Sequence, residues 1–395
     1  MTPSVTVSHR GEERIRAGHP WVYRSDIIAV EHAGAGEIVR VVSGRGGRHR
    51  PLGCALYSDR SEIAIRMVSR AEERIDDAFW RRRLERAIEY RRQLDVAATD
   101  TTAYRLVHGE GDLLPSLVVD RYGDYLVMQA LSQGTDRLQS AFVRHLVDLV
   151  QPRGVLARND PRVRLLEGLE QKVELLHGEV PEQVFVREAG VEYEIDPWHG
   201  QKTGLFLDQR ENRLAARRWA RGRLLDCFSY HGGFALALAG QCDTALALDI
   251  SEDAVARIRA NAARNAVRNV DARTANVFDE LREFDRAGET FDTIVLDPPA
   301  FAKSKPAVAK AAAGYKEINL RAMKLLAPGG ILVTCSCSYN VDEEMFGAIV
   351  QRAAADAHAD MVLVDKRIQG RDHPVLIGVP ETYYLKCLIL RKAGE

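Results

Sequence analysis

The chain has 395 residues, enough for two or three domains of ordinary size. Its hydrophobic fraction of 46% supports buried cores, while no apolar run approaches the roughly 18–20 residues that cross a bilayer, which argues against a membrane-spanning helix. A formal net charge of −1 argues against a uniformly basic nucleic-acid binder, and six scattered cysteines with no C-x-x-C pair or Cys/His cluster argue against a bound metal.

Residues 1–10 lack the apolar core of a signal peptide, so a cytoplasmic protein is expected. Residues 1–72 read as a small β-barrel of short strands with glycine turns. Residues 37–42 alternate and are rich in β-branched types; residues 44–47 form a Gly/Arg turn; residues 55–57 and 63–68 follow as strands. Residues 1–71 hold 11 Arg against 7 acids. No acid falls between Glu37 and Asp59, where Arg40, Arg45, Arg48 and Arg50 lie. Such a local basic face suits a phosphate partner, and a solvated loop face accounts for it equally well.

Residues 73–196 form a linker helix and a central α+β segment. Asp76 and Asp77 open a helix in which Phe79, Trp80, Leu84, Ile88 and Leu94 recur at helical spacing. Arg81, Arg82, Arg83, Arg86, Arg91 and Arg92 fill the rest, read as a solvated face with an Arg81–Glu85 pair rather than as an RNA contact. Residues 117–129 read as strand–turn–strand, 136–150 as an amphipathic helix, and 154–157 and 191–195 as further strands. Two strand pairs and a helix are expected, with no catalytic signature among them.

From residue 197 to 395 strands and helices alternate. Residues 223–226, 244–249, 291–297 and 330–334 are strand cores, and 233–239, 252–265 and 307–326 are helical. This βαβ rhythm predicts an α/β fold, a Rossmann-like domain with a mostly parallel sheet. In such sheets ligands bind outside the carboxyl ends of the strands.

Those ends carry the reactive residues. The first runs Asp226-Cys-Phe228-Ser-Tyr230-His-Gly232-Gly233-Phe. Glycines there allow a ligand close to the backbone, but the loop lacks the G-x-G-x-x-G of a dinucleotide site. It suits a ligand with an amino-acid or nucleoside part. Asp249, followed by Ile250, is placed to accept from ribose hydroxyls, with a helix cap as the plainer alternative. Asn276 and Val277 can face an adenine edge, although turn asparagines are common.

Asp297-Pro298-Pro299-Ala300-Phe301 is more specific: two prolines stiffen the backbone just past a strand, and Phe301 can stack on a base. Lys303 and Lys305 follow and can meet phosphates. A second apolar run ends Thr334-Cys335-Ser336-Cys337-Ser338. Together the two ends suggest a pocket that holds a planar base and attacks it with a thiol.

These ordered motifs resemble those of class I S-adenosylmethionine-dependent methyltransferases. Over nearly the whole chain the closer resemblance is to the RlmI-like family of large-subunit ribosomal RNA cytosine-C5 methyltransferases. Residues 9–26, from His9-Arg-Gly-Glu-Glu to Trp21-Val-Tyr-Arg-Ser-Asp26, resemble its PUA domain, an RNA-binding barrel. Residues 201–213, Gln-Lys-Thr-Gly-Leu-Phe-Leu-Asp-Gln-Arg-Glu-Asn-Arg, resemble its segment before the first strand.

The resemblance implies S-adenosylmethionine as cofactor and ribosomal RNA as partner, with neither membrane nor metal, and it leaves room for a homodimer. It implies that Asp226, Phe228, Tyr230, Gly232 and Gly233 surround the methionine part and that Asp249 and Ile250 meet the ribose. Asn276 and Val277 would face the adenine, and Thr203, Gln209, Arg210 and Asp297 would complete the site. Cys337 would be the nucleophile, Asp297 would contact the base, and Pro298, Pro299 and Phe301 would frame it.

Cys335, still inside the strand, reads as packing. His231 stands where a threonine or another small residue is more usual; facing solvent is the simpler expectation, and altering the polarity around the cofactor is the alternative. Ala300 stands where other RNA cytosine-C5 enzymes carry a second cysteine. Three alternatives stay open: purine-nitrogen methylation without a covalent step, a nucleotide-dependent oxidoreductase, and a non-enzymatic RNA-binding protein.

Overall fold

The computed structural model describes residues 2–44, 50–200, 202–302 and 304–394. Arg45 and Arg48 of the basic loop, residues 45–47 of the expected turn, Gln201, Lys303 and the side chain of Lys305 lie outside the described residues. The chain divides into two compact units. The first comprises Met1–Val186, Ile195–Leu205 and Arg371–Thr382; the second comprises Arg187–Glu194, Phe206–Gly370 and Tyr383–Glu395.

The first unit holds two sheets. A six-stranded sheet has the order Trp21–Tyr23, Ile63–Ser69, Arg50–Tyr57, Ile38–Ser43, Ser4–Val7, Ile27–Glu31. Alternation explains the middle strands: Val39 and Val41 are buried while Arg40 between them is exposed. A five-stranded sheet has the order Lys172–Gly178, Gly154–Asn159, Tyr125–Ala130, Leu117–Tyr122, Ala103–His108. Its outermost strands, 103–108 and 172–178, were not expected, and 191–195 pairs instead with Val184–Glu188 as a separate hairpin.

Leu56 and Val68 of the first sheet pack in one core with Phe79, Trp80 and Leu84 of the helix Asp77–Gln93 and with Phe142 of the helix Gln133–Val150. That shared core makes residues 2–186 one unit, apart from the masked positions. The helix 77–93 is less solvated than its arginines suggest. Arg81 does pair with Glu85 at 3.0 Å. Arg91 instead points inward: its guanidinium donates to Asp112, to the Arg105 carbonyl at 2.9 Å and to the Asp372 carbonyl at 2.7 Å. A buried charge needs such partners, so this arginine is structural.

The second unit carries a seven-stranded sheet, numbered here within the unit. Its strands are β1 (Arg223–Cys227), β2 (Thr244–Asp249), β3 (Val270–Thr274), β4 (Phe291–Leu296), β5 (Leu326–Ser336), β6 (Met361–Arg367) and β7 (Lys386–Lys392), in the spatial order β3-β2-β1-β4-β5-β7-β6. Strands β1 to β5 run parallel, and β7 is antiparallel to both β5 and β6. The helices are α1 (Arg210–Arg217), α2 (Gly233–Leu238), α3 (Glu252–Arg264), α4 (Val277–Ala287), α5 (Val308–Leu325) and α6 (Glu343–Asp356).

The central strands are buried on both faces, which is why they read as unbroken apolar runs. Leu225, Ile294, Leu296 and Leu332 pack toward Tyr315, Ile318 and Met323 of α5, while Leu224, Val295, Ile331 and Val333 pack with Phe234 and Leu238 of α2. The order reverses at β1 and β4, the switch point outside whose carboxyl ends an open α/β sheet binds its ligand.

Candidate active site

The loop after β1 is built around Asp226, which is 1% exposed. One carboxylate oxygen accepts from Ser229 Oγ at 2.5 Å and from the Ala235 backbone N–H at 2.8 Å. The other oxygen is buried without a hydrogen-bond partner among the described residues. Burial raises the acid to about 7, against the lowering effect of the Ser229 and Ala235 bonds. A buried acceptor left unpaired fits a ligand bearing an ammonium or amide donor.

The rest of that loop is conformationally unusual. Phe228, Tyr230 and Gly232 all have positive φ, at 63°, 52° and 81°. The first two carry Cβ atoms in a region that disfavours them, so the surrounding bonds hold them there. The Tyr230 N–H donates to Asp249 Oδ2 at 2.9 Å, and the Ser251 N–H donates to Asp249 Oδ1 at 3.0 Å. Asp249 at the end of β2 thus braces the β1 loop while half-exposed. Ile250 beside it is 73% exposed, an apolar side chain held at the strand end. Gly233 faces Arg213, whose guanidinium would lie 3.0 Å from a Cβ there.

His231 departs from its expected solvent position. It is 2% exposed, and neither ring nitrogen has a hydrogen-bond partner among the described residues. Its ring lies 3.7 Å from that of Tyr230, centroid to centroid. Burial first, then the charge of Arg257, lowers its pKa to about 3, so the ring is neutral at physiological pH. Apolar packing against Tyr230, not solvation, accounts for its place.

Asn276 caps α4, its side chain accepting from the Phe278 N–H at 3.0 Å, and Val277 is buried in the core. Thr203 belongs to the first unit. There its hydroxyl donates to Asp120 at 2.6 Å and meets Tyr122 Oη at 2.9 Å. Arg210 is buried at the start of α1, with a guanidinium nitrogen 3.7 Å from Glu211.

The acid-proline turn and the thiol do come together. Strand β4 runs beside β5 with Leu296 opposite Thr334, which sets Asp297 and Cys337 past adjacent strand ends. Cys337 Sγ lies 3.8 Å from the Pro298 carbonyl oxygen. Ser338 ties the two ends: its Oγ accepts from the Ala302 N–H at 3.1 Å and meets Tyr315 Oη at 2.9 Å. Pro298 is buried and Pro299 exposed. Phe301 is half-buried in a ring cluster, 4.7 Å from Tyr315, 5.9 Å from Phe278 and 6.4 Å from Phe228. Cys335 is buried opposite Cys387, a packing position as expected.

Further residues brace this neighbourhood, some within the 201–213 segment and others, Arg367, Glu188 and Lys386, outside the motifs read from the sequence. A relay runs from Arg367 to Asn212 at 3.2 Å, to Gln209 at 2.7 Å, and to Asp297 Oδ1 at 2.8 Å. Arg213 makes a bidentate pair with Glu188 at 2.7 and 2.8 Å. Lys386, the first residue of β7, is 3% exposed and donates to the Ser338 and Tyr384 carbonyls at 2.8 and 3.0 Å. Burial lowers its pKa to about 8, and the charges of Cys337, Asp342 and Glu343 oppose that shift. Its one sequence signal is a lysine heading an otherwise apolar strand.

Comparison with known proteins gives the family and the fold. A PUA-like domain model matches residues 5–70, and an S-adenosylmethionine-dependent methyltransferase model matches residues 104–388. Ribosomal RNA large subunit methyltransferase I of Tolumonas auensis is 39% identical over 99% of this chain and all of its own length. The protein of that name from Vibrio cholerae is 38% identical over 98% of both chains. The solved structure of SMU.776 in complex with SAH superposes with a TM-score of 0.84 over 99% of this chain and 100% of that one, at 21% identity. That likeness carries the fold, and the sequence relatives carry the family. The unpaired oxygen of Asp226 and the acid at the end of β2 suit the family's cofactor, S-adenosylmethionine. The chain belongs to the S-adenosylmethionine-dependent methyltransferases with a PUA-like domain, in the family of ribosomal RNA large subunit methyltransferase I.

Proposed function

We propose that this chain forms 5-methylcytidine in large-subunit ribosomal RNA, with Cys337 adding to C6 of the target cytosine. The observation that carries this reading is the placement of the Cys337 thiol against the Pro298 carbonyl at the shared mouth of β4 and β5. Purine nitrogens attack a methyl donor directly and need no thiol at that place. The RNA partner rests on the names of relatives that match the chain end to end. A cytoplasmic location follows from that partner, and the division 1–72, 73–196 and 197–395 is kept as the functional organisation.

Cytosine C5 is a weak nucleophile. Addition of the Cys337 thiolate to C6 breaks the C5–C6 double bond and moves its electrons toward C5. When bound, S-adenosylmethionine supplies the methyl group that C5 takes. A base then removes the C5 proton, the double bond re-forms, and the sulfur leaves C6 as thiolate. Asp297, oriented by Gln209, would accept from the cytosine amino group or hold N3. Pro298, Pro299 and Phe301 would frame the ring, which must leave its RNA stack to enter.

For the cofactor, Asp226 would accept from the methionine ammonium, beside Phe228, Tyr230, Gly232 and Gly233. Asp249 and Ile250 would meet the ribose, and Asn276 and Val277 the adenine. Gln209, Arg210 and Asp297 complete the proposed set within the second unit, while Thr203 is hydrogen-bonded to Asp120 in the first. With Ala300 in place of a second cysteine, one thiol does all the covalent work.

The test is trapping. RNA carrying 5-fluorocytosine has no C5 proton to lose, so the adduct persists after methyl transfer. With S-adenosylmethionine present, the wild-type protein should give a complex that survives a denaturing gel, mapped by mass spectrometry to Cys337. Methyl transfer at an undiminished rate by Cys337→Ala would contradict the covalent step.

A further inference from the structure

We propose that Lys386 is a positioning residue that holds Cys337 as a thiolate by placing a buried ammonium beside it. The inference rests on the reading of Cys337 as nucleophile and adds the group that activates it.

The placement follows from strand register. In the antiparallel β5–β7 pair, Ser336 lies opposite Lys386 and Cys335 opposite Cys387. Lys386 therefore stands level with the last residue of β5, where the chain turns out toward Cys337. Its side chain is buried, and its head group is fixed by the carbonyls of Ser338, next to Cys337 in sequence, and Tyr384. A lysine this deep among apolar residues is costly unless its charge is used or balanced. Two carbonyls take two of the three ammonium hydrogens and contribute no negative charge.

The surrounding charges point to the thiol as the balancing group. Cys337 is the foremost of the groups that favour the charged form of Lys386, ahead of Asp342 and Glu343. Glu343 is already engaged by Lys366 and by the Tyr383 hydroxyl. Asp342 caps α6, accepting from the Met345 N–H at 2.8 Å. On the other side of the thiol, Tyr315 is tied to Ser338, and burial raises its pKa, so it stays a neutral phenol. Asp297 at the end of β4 carries negative charge and would oppose a thiolate. Lys386 is then the cation that this pocket supplies on the β7 side. A nearby ammonium favours the thiolate over the thiol.

A purely structural clamp between two carbonyls would also be buried, so the test reads the thiol. The rate of Cys337 alkylation by iodoacetamide is followed against pH in the full-length protein, by mass spectrometry of the peptide that contains residue 337. The wild-type midpoint should fall below about 8.5, the ordinary thiol value. In Lys386→Met it should rise by about one unit or more, with alkylation at pH 7 roughly tenfold slower, and Lys386→Arg should restore most of the loss.

Methyl transfer by Lys386→Met should recover toward the wild-type rate at pH 9, where solvent deprotonates the thiol; damage to the fold would not recover. An unchanged midpoint in a folded Lys386→Met protein would overturn the proposal. So would a wild-type midpoint at or above about 8.5, which needs no variant at all. Full turnover by Cys337→Ala would instead remove the nucleophile reading, and the alkylation profile reports on Lys386 separately.

Discussion

Asp226 shows how much one residue can carry. One oxygen organises the loop through Ser229 and Ala235, and the other is left buried and unpaired. Its pKa near 7 is the consequence of burial. In the absence of ligand the acid is therefore partly protonated at neutral pH. A ligand ammonium favours the carboxylate, so binding should release a proton, and affinity should rise as pH increases through about 7. Isothermal titration with S-adenosylmethionine at pH 6 and pH 8 should show roughly five- to tenfold tighter binding at pH 8, with the slope lost in Asp226→Asn.

The residue scale also shows what a sequence hides. Cys335 and Cys337 are two apart and would share a face in a continuous strand. They differ because β5 ends at Ser336, leaving Cys337 beyond the ladder. The family resemblance, not a local pattern, separated the two cysteines in sequence, and the expected strand core stopped at 334, two residues short of the observed end. The burial of His231 was not legible because it depends on the turn of the loop and on a distant helix: its ring stacks on the adjacent Tyr230, and Asn261 of α3 donates to its backbone carbonyl at 3.2 Å. Lys386 was missed because its bond to the Ser338 carbonyl spans 48 residues, and no local pattern reports such a bond.

At the scale of elements, the loop between β1 and α2 is the least ordinary piece of backbone. Gly232 has φ of 81°, and a Cβ there would approach Leu236 and Ile258 at 3.2–3.3 Å. A left-handed non-glycine residue costs about 1–2 kcal/mol before any contact is counted. Gly232→Ala should therefore lower stability by about that amount in urea denaturation and weaken cofactor binding in the same preparation. Unchanged values for both would mean that the loop adapts and that its shape is not what the cofactor site requires.

The parallel strands of this unit were legible because strands buried on both faces are continuous apolar runs ending in punctuation. The edge strand β3 was not, since its exposed positions Asp271, Arg273 and Thr274 are polar or charged, and neither was β6, whose exposed Val362 and Leu363 break any alternation. Strand β7 escaped because it follows an irregular stretch and breaks the βα rhythm. In the first unit the strand 103–108 was hidden by Arg105, a charge that the fold balances with Asp120 at 2.7 Å. The helix 77–93 was found, but the inward turn of Arg91 was not, because periodicity cannot say which arginine finds an acid.

At the scale of the whole chain, a PUA-like model covers residues 5–70 and a methyltransferase model covers residues 104–388, which reaches well before the expected start of the methyltransferase domain at 197. The first unit nevertheless runs through both, because Leu56 and Val68 share a core with the helix 77–93. Arginine excess in residues 1–71 was offered as a phosphate-binding face. Within it Arg40 pairs with Glu72, while Arg45 and Arg48 lie outside the described residues.

The central claim is that this fold, with the partly buried Cys337 thiol beside the acid-proline turn, makes 5-methylcytidine in large-subunit ribosomal RNA. The most direct test incubates the purified protein and S-adenosylmethionine with ribosomal RNA from cells that lack the enzyme, then maps every new methyl group by mass spectrometry. The account predicts 5-methylcytidine at a single cytosine of the large-subunit RNA, absent with Cys337→Ala. A methylated purine nitrogen, or 5-methylcytidine formed equally well without Cys337, would contradict it.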